Sequence, residues 1–225
     1  MKILFVYTNI NGQHADSFAD GISMIMSVTK KAGYDIKQVQ IFEKSEYDDF
    51  KEAVKSYKPD IIGFTAVSSQ FSFVGELSEI AKKINSKIVT VCGGIHPTLY
   101  PECVKEAKDL DVIFRGDSEV PFLNFIKSIE NNESWKENES IAFLRKDGTV
   151  KRNKLAKLPT PEDLDKMPFP DRETFDYSKI LQKVGIASFH FTRGCPFVCT
   201  YCSNIGIAKV YGQSRYNIRQ ASPEH

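Results

Sequence analysis

Long hydrophobic runs are absent from this 225-residue sequence. None approaches the ~18 apolar residues that a membrane-crossing helix needs, so no membrane partner is expected. An excess of charge of one sign is also missing. Thirty Lys and Arg stand against 29 Asp and Glu, a formal net charge of +1. Bulk charge therefore offers nothing to a nucleic acid or other polyanion, and neither is expected as a partner. Cysteine is scarce and unevenly placed: three of the five fall at Cys195, Cys199 and Cys202. That is no disulfide framework for a chain of this size. Cys92 and Cys103 read as small buried residues, and the compartment as a reducing cytoplasm. The opening Met1–Tyr7 is too short for a signal-peptide core and reads as a strand.

What is present alternates strand and helix signals. Strands are expected at 2–8, 35–42, 60–67, 87–92 and 111–114. Helical stripes run from Phe18 to Thr29, over 47–57, from Phe73 to Ile84 and over 120–129, with a short helix near 101–107. Five strands alternating with helices predict an α/β fold, a doubly wound parallel sheet of Rossmann or flavodoxin-like type, with strand order 2-1-3-4-5. Ligands of such sheets bind beyond the carboxyl ends of the strands, here the turns 9–14, 68–71, 93–98 and 115–119. After Glu130 the composition changes. Residues 131–140 are polar, Lys146-Asp147-Gly148 marks a hairpin turn, and the proline-rich 158–170 reads as a stiff linker. The expected domains are 1–138, a hairpin and linker over 139–182, and a second unit over 183–225.

The segment Thr192-Arg193-Gly194-Cys195-Pro196-Phe197-Val198-Cys199-Thr200-Tyr201-Cys202 carries the chemistry. Three thiolates this close in sequence converge on one small centre, and Gly194 and Pro196 favour a loop. Three suit an iron–sulfur cube with one iron left open, because most clusters take four cysteines. A structural zinc site is the rival. It wants four protein ligands, commonly two separated pairs, and no second pair lies nearby. His190 is the one candidate for a fourth ligand, and it sits within an apolar strand pattern over 185–191. The iron–sulfur reading is preferred.

This loop resembles that of the radical S-adenosylmethionine (SAM) superfamily. The resemblance implies that Cys195, Cys199 and Cys202 hold a 4Fe-4S cluster, whose open iron chelates SAM and whose electron cleaves it. It also implies that Tyr201 lies near the bound adenine, and that the loop follows the first strand of a (β/α) barrel. With a five-stranded parallel domain ahead of it, the chain resembles the N-terminal portion of cobalamin-binding radical SAM proteins. Cys92-Gly93-Gly94-Ile95-His96-Pro97-Thr98 is similar to the family's turn after the fourth strand. Arg115-Gly116-Asp117-Ser118-Glu119 is similar to its Gly-Glu-Gly-Glu turn after the fifth, departing at Asp117 and Ser118. Leu164–Pro170 is similar to its linker. The corrinoid contacts implied are Gly93, Gly94, His96, Gly116 and Glu119, with His96 shaping the loop or touching the corrin edge. Paired glycines suit a large flat ligand, since they let the backbone approach closely. Asp117 and Glu119 either hydrogen-bond a ligand or cap the next helix. His14 stands where related cobalamin proteins carry a cobalt ligand, but the flanking Asp and Gly do not match. It reads as a surface-loop histidine.

The resemblance implies three cofactors (a 4Fe-4S cluster, SAM and cobalamin) and, in the complete enzyme, methyl transfer to a small-molecule substrate that the sequence does not name. Oxidative or ring-forming radical chemistry, or a non-catalytic cobalamin- or metal-binding module, are the alternatives. A receiver-like signalling domain is disfavoured, since the turn after the first strand lacks an acidic cluster. About forty residues follow the expected start of the barrel, against ~200 for a full one. We therefore read an incomplete barrel with no catalytic residue of its own and no activity alone. As one option, a separate chain completes it.

Overall fold

The computed structural model describes residues 1–12, 18–175, 177–187 and 189–223. His14 lies outside them. Five parallel strands form the centre: β1 (Lys2–Thr8), β2 (Asp35–Ile41), β3 (Ile61–Thr65), β4 (Val89–Gly93) and β5 (Val112–Phe114). Their spatial order is β2-β1-β3-β4-β5, as expected. The hairpin of β6 (Ile141–Leu144) and β7 (Val150–Arg152) extends this sheet, because β6 pairs antiparallel with β5. That covers the edge β5 would otherwise expose.

Central strands of a parallel sheet are buried on both faces, so they read as continuous apolar runs rather than alternating ones. In β1, Leu4 and Val6 face one core with Phe50, Val54, Val74 and Leu77. These last four come from α2 (Tyr47–Tyr57) and α3 (Phe71–Ile84). Ile3 and Phe5 face the other core with Ile22, Met26, Phe122 and Phe125. Those belong to α1 (Asp20–Lys31) and α5 (Glu119–Glu130). Cys92 and Cys103 are wholly buried, as read. Trp135, within the polar stretch 131–140, packs on Phe125 and Phe143 with ring centroids 5.6 and 5.3 Å away.

Three α-helices ahead of the cysteine loop were not expected. The turn after β4 winds into α4 (Ile95–Leu99), whose Pro97 is tolerated because the first turn needs no amide donor. The linker contains α6 (Pro161–Lys166), started by a reciprocal Thr160–Asp163 capping box. After it comes α7 (Tyr177–Val184). The linker is fastened rather than merely stiff. Ser27 Oγ donates to the Phe169 carbonyl at 2.5 Å, the Asp171 amide donates to Ser23 O at 3.2 Å, and buried Phe175 stacks edge-on to Phe18.

The strand expected over 185–191 does not form in its described residues. A barrel strand needs neighbours along both edges, and among the described residues of this segment there is only a two-residue ladder. It joins β8 (Thr192–Arg193) to β9 (Arg219–Gln220), antiparallel. Phe189 and Phe191 are consequently 64% and 75% exposed. Between these strands lies α8 (Ser203–Val210), which begins directly after Cys202.

Candidate functional site

A cavity of about 990 Å³ opens at the carboxyl ends of β3, β4 and β5. It runs between α1 and α5 on one side and the linker and β8 on the other. Phe5, Ile22 and Phe122 line its depth, and Pro168, Phe169 and Phe191 its outer wall. The strands and the turns after them contribute Gly63, Gly93, Gly94 and Gly116, interleaved with Thr65, Val91 and Phe114. Two of these glycines are dictated by backbone. Gly94 has φ +103°, and a Cβ would stand 2.6 Å from the Ala66 carbonyl oxygen. Gly116 has φ +74°, and a Cβ would overlap the Tyr211 hydroxyl. Gly93 is under no such constraint from the protein, since its nearest neighbour would be Phe114 Cβ at 3.9 Å. A cavity of this size fits a large ligand, and its apolar depth fits that ligand's exclusion from water.

His96 is not part of the lining. Its Nδ1 lies 3.0 Å from Ser68 Oγ, and its ring sits 4.6 Å from Phe71 and 5.8 Å from Tyr100. It braces the β4–α4 turn against the turn after β3. Burial lowers its pKa, so the ring is neutral at pH 7, and its Nε2 is shielded without a hydrogen-bond partner.

The β5–α5 turn is occupied by ion pairs. Asp117 accepts from Arg219 Nη1 at 2.8 Å, from Arg193 Nη1 at 3.3 Å and from the Tyr216 hydroxyl at 3.0 Å. Its own amide donates to the Tyr211 hydroxyl at 2.9 Å. Arg193 also pairs with Glu119 at 2.6 Å, and Glu119 is 6% exposed. Burial alone would raise the Asp117 carboxyl, but Arg219 and Arg193 outweigh it and hold it below the usual carboxylate range. Burial and Asp117 together push the Tyr211 phenol up to about 12. Sequence reasoning offered these two acids a ligand or a helix cap. It missed their arginine partners, whose one signal was Arg193 standing directly before the Gly194–Cys195 turn.

The cysteine loop joins β8 to α8. Gly194 turns it at φ +95°, where a Cβ would overlap the Asn217 carbonyl. The Cys195 amide donates to Tyr216 O at 2.8 Å, and the Cys202 amide to Cys199 O at 3.1 Å. All three thiols are free and partly exposed, the donor number and type that a cluster with one open iron requires. Among the described residues, however, no three His, Cys, Asp or Glu side chains are gathered around a metal-sized point. Tyr201 is 92% exposed. His190 pairs with Asp20 at 3.0 Å instead of facing the thiols.

The family model of the B12 binding domain matches residues 14–126, which spans β2 to β5 and the glycine-lined strand ends. The chain belongs to the B12-binding domain family. Similar proteins extend the match past the B12-binding domain. An anaerobic magnesium-protoporphyrin IX monomethyl ester cyclase of Rubrivivax gelatinosus is 31% identical over 216 residues, 90% of this chain and 38% of that protein. A cytidylyl-2-hydroxyethylphosphonate methyltransferase of Streptomyces wedmorensis is 25% identical, covering 81% and 43%. The cobalamin-dependent SAM radical enzyme OxsB, solved with aqua-cobalamin and SAM, superposes with a TM-score of 0.77 at 18% identity, over 99% of this chain and 30% of that one. The fold is thus the B12-binding sheet and following segment of cobalamin-dependent radical SAM enzymes. The chain spans less than half the length of the curated relatives it matches.

Proposed function

We propose that this chain binds cobalamin in the 990 Å³ cavity and forms the corrinoid- and cluster-carrying part of a B12-dependent radical SAM enzyme acting on a small molecule. The observation that carries the reading is a large, mostly apolar cavity at the carboxyl ends of a B12-type sheet, to which Gly63, Gly93, Gly94 and Gly116 contribute. Residues 1–138 would hold the corrinoid, and 183–225 would open the radical SAM part. When bound, cobalamin supplies a transferable group, and the cluster supplies the electron that cleaves SAM. Cys195, Cys199 and Cys202 would hold the cluster, with Tyr201 toward SAM. The chain's own residues do the positioning. Glycines admit the ligand face, Phe5, Ile22 and Phe122 exclude water, and the Asp117 ion pairs set the loop at the cavity mouth.

Methyl transfer is the reaction we assign to the complete enzyme. The 31% identity to a cyclase favours ring-forming chemistry as the second reading. Five free cysteines are in keeping with a reducing cytoplasm, which is part of the proposal. Anaerobic reconstitution with iron and sulfide tests the cluster half. Iron and acid-labile sulfide retained by the wild-type chain and lost in Cys199→Ala is the expected result. Tight zinc without sulfide would overturn it.

A further inference from the structure

The two walls of the cavity meet at one buried ion network, and that network also closes the base of the cysteine loop. Arg193 and Arg219 are opposite each other in the β8–β9 ladder, where two like charges repel. Both reach Asp117, and Glu119 takes the second arm of Arg193, so two acids balance two bases. Isolated surface pairs contribute little, but a carboxylate held by two guanidinium groups and a phenol, 17% exposed, is a built geometry. Asp117, Glu119, Arg193 and Gly194 all line the cavity. The far side of the loop is anchored separately. α8 lies on α4, with Gly206 so close to Leu99 that an added Cβ would stand 2.9 Å from its side chain.

We propose that Asp117 and Glu119 are positioning residues which, through Arg193 and Arg219, fix the cysteine loop at the cavity mouth, so that an occupied cavity restrains Cys195, Cys199 and Cys202. This rests on the cobalamin reading above. An occupant pressing on Gly116 or Gly194 bears on both ends of the same network. Binding then tightens the loop, and by linkage an ordered loop favours binding.

The test is the rate at which the metal-free, reduced chain reacts with a maleimide, without and with saturating cyanocobalamin, under anaerobic conditions. Cys92 and Cys103 stay silent, because both are wholly buried and burial pushes the Cys103 thiol up to about 12. In the wild type, cyanocobalamin should slow modification of the loop cysteines about fivefold or more. Arg219→Gln, at a residue outside the cavity wall, should abolish the slowing while cobalamin remains bound. Tyr211→Phe removes only the hydroxyl that accepts from the Asp117 amide. It should reduce the protection about twofold or more, the effect of one hydrogen bond, and serves should Arg219→Gln not fold. Bound cobalamin with unchanged thiol rates, or equal protection in wild type and variants, would overturn the inference and leave the cobalamin reading intact. Failure of the folded chain to bind cyanocobalamin would overturn both.

Discussion

At the residue scale, Gly93 and Asp117 make opposite demands. Gly93 shares a strand face with Val91, and both line the cavity, so a side chain at 93 would project into it. Its backbone is unstrained and nothing crowds the site. Gly93→Phe should therefore keep the melting temperature within a few degrees of wild type yet weaken cobalamin binding about tenfold or more, since filling a pocket forfeits the ligand's own contacts. Calorimetric melting and a binding titration measure the two halves. Asp117 predicts a pH effect. Its folded carboxyl titrates below its unfolded value, so its stabilisation is full above about pH 4 and is lost as the pH falls through the lowered folded value. Melting curves of wild type and Asp117→Asn taken from pH 6 to pH 3 should converge at the acid end. At pH 6 the variant should be less stable by on the order of 3 kcal/mol, the cost of leaving buried guanidinium groups short of a partner. Parallel curves across the range would contradict the ion-pair account.

At the element scale, the linker is a structural part of the cavity. Phe175 is wholly buried between Tyr7 and Phe18, and the chain before it supplies Pro168 and Phe169 to the outer wall. Phe175→Ala should cost about 3–5 kcal/mol and lower the melting temperature by roughly 10 °C. Calorimetry checks this, and a change near zero would show that the linker does not pack as described. The sheet strands and the helices α1, α2, α3 and α5 were legible because period and punctuation coincide there: β1 and α2 have the ranges read from the sequence. The helices that escaped notice are short. In α4 a glycine pair and Pro97 imitate a loop, and in α6 the prolines conceal a capping box. The apolar run 185–191 carries the reverse error. Its pattern suits a strand, but strands need partners that local sequence does not display.

At the scale of the whole molecule, the turns after β4 and β5 serve two surfaces. Gly93 and Gly94 line the cavity, while α4, which starts just after Gly94, and the turn at Gly116–Glu119 support the cysteine segment from beneath. Of the cavity's glycines, Gly93, Gly94 and Gly116 were legible from the turns that hold them, and at Gly94 and Gly116 positive φ and close approach dictate the residue type; Gly63, inside an apolar strand run, was not. The arginines that grip Asp117 were not, since partners 76 and 102 residues away leave no local pattern. Among the described residues, no helix is long and apolar enough to cross a membrane. The central claim is that the cavity holds a corrinoid. An anaerobic titration with hydroxocobalamin, followed by visible absorption and gel filtration, tests it most directly. The account predicts one equivalent co-eluting with the protein and a shifted visible spectrum. Cobalamin that elutes apart from a folded chain, its spectrum unchanged, would contradict it.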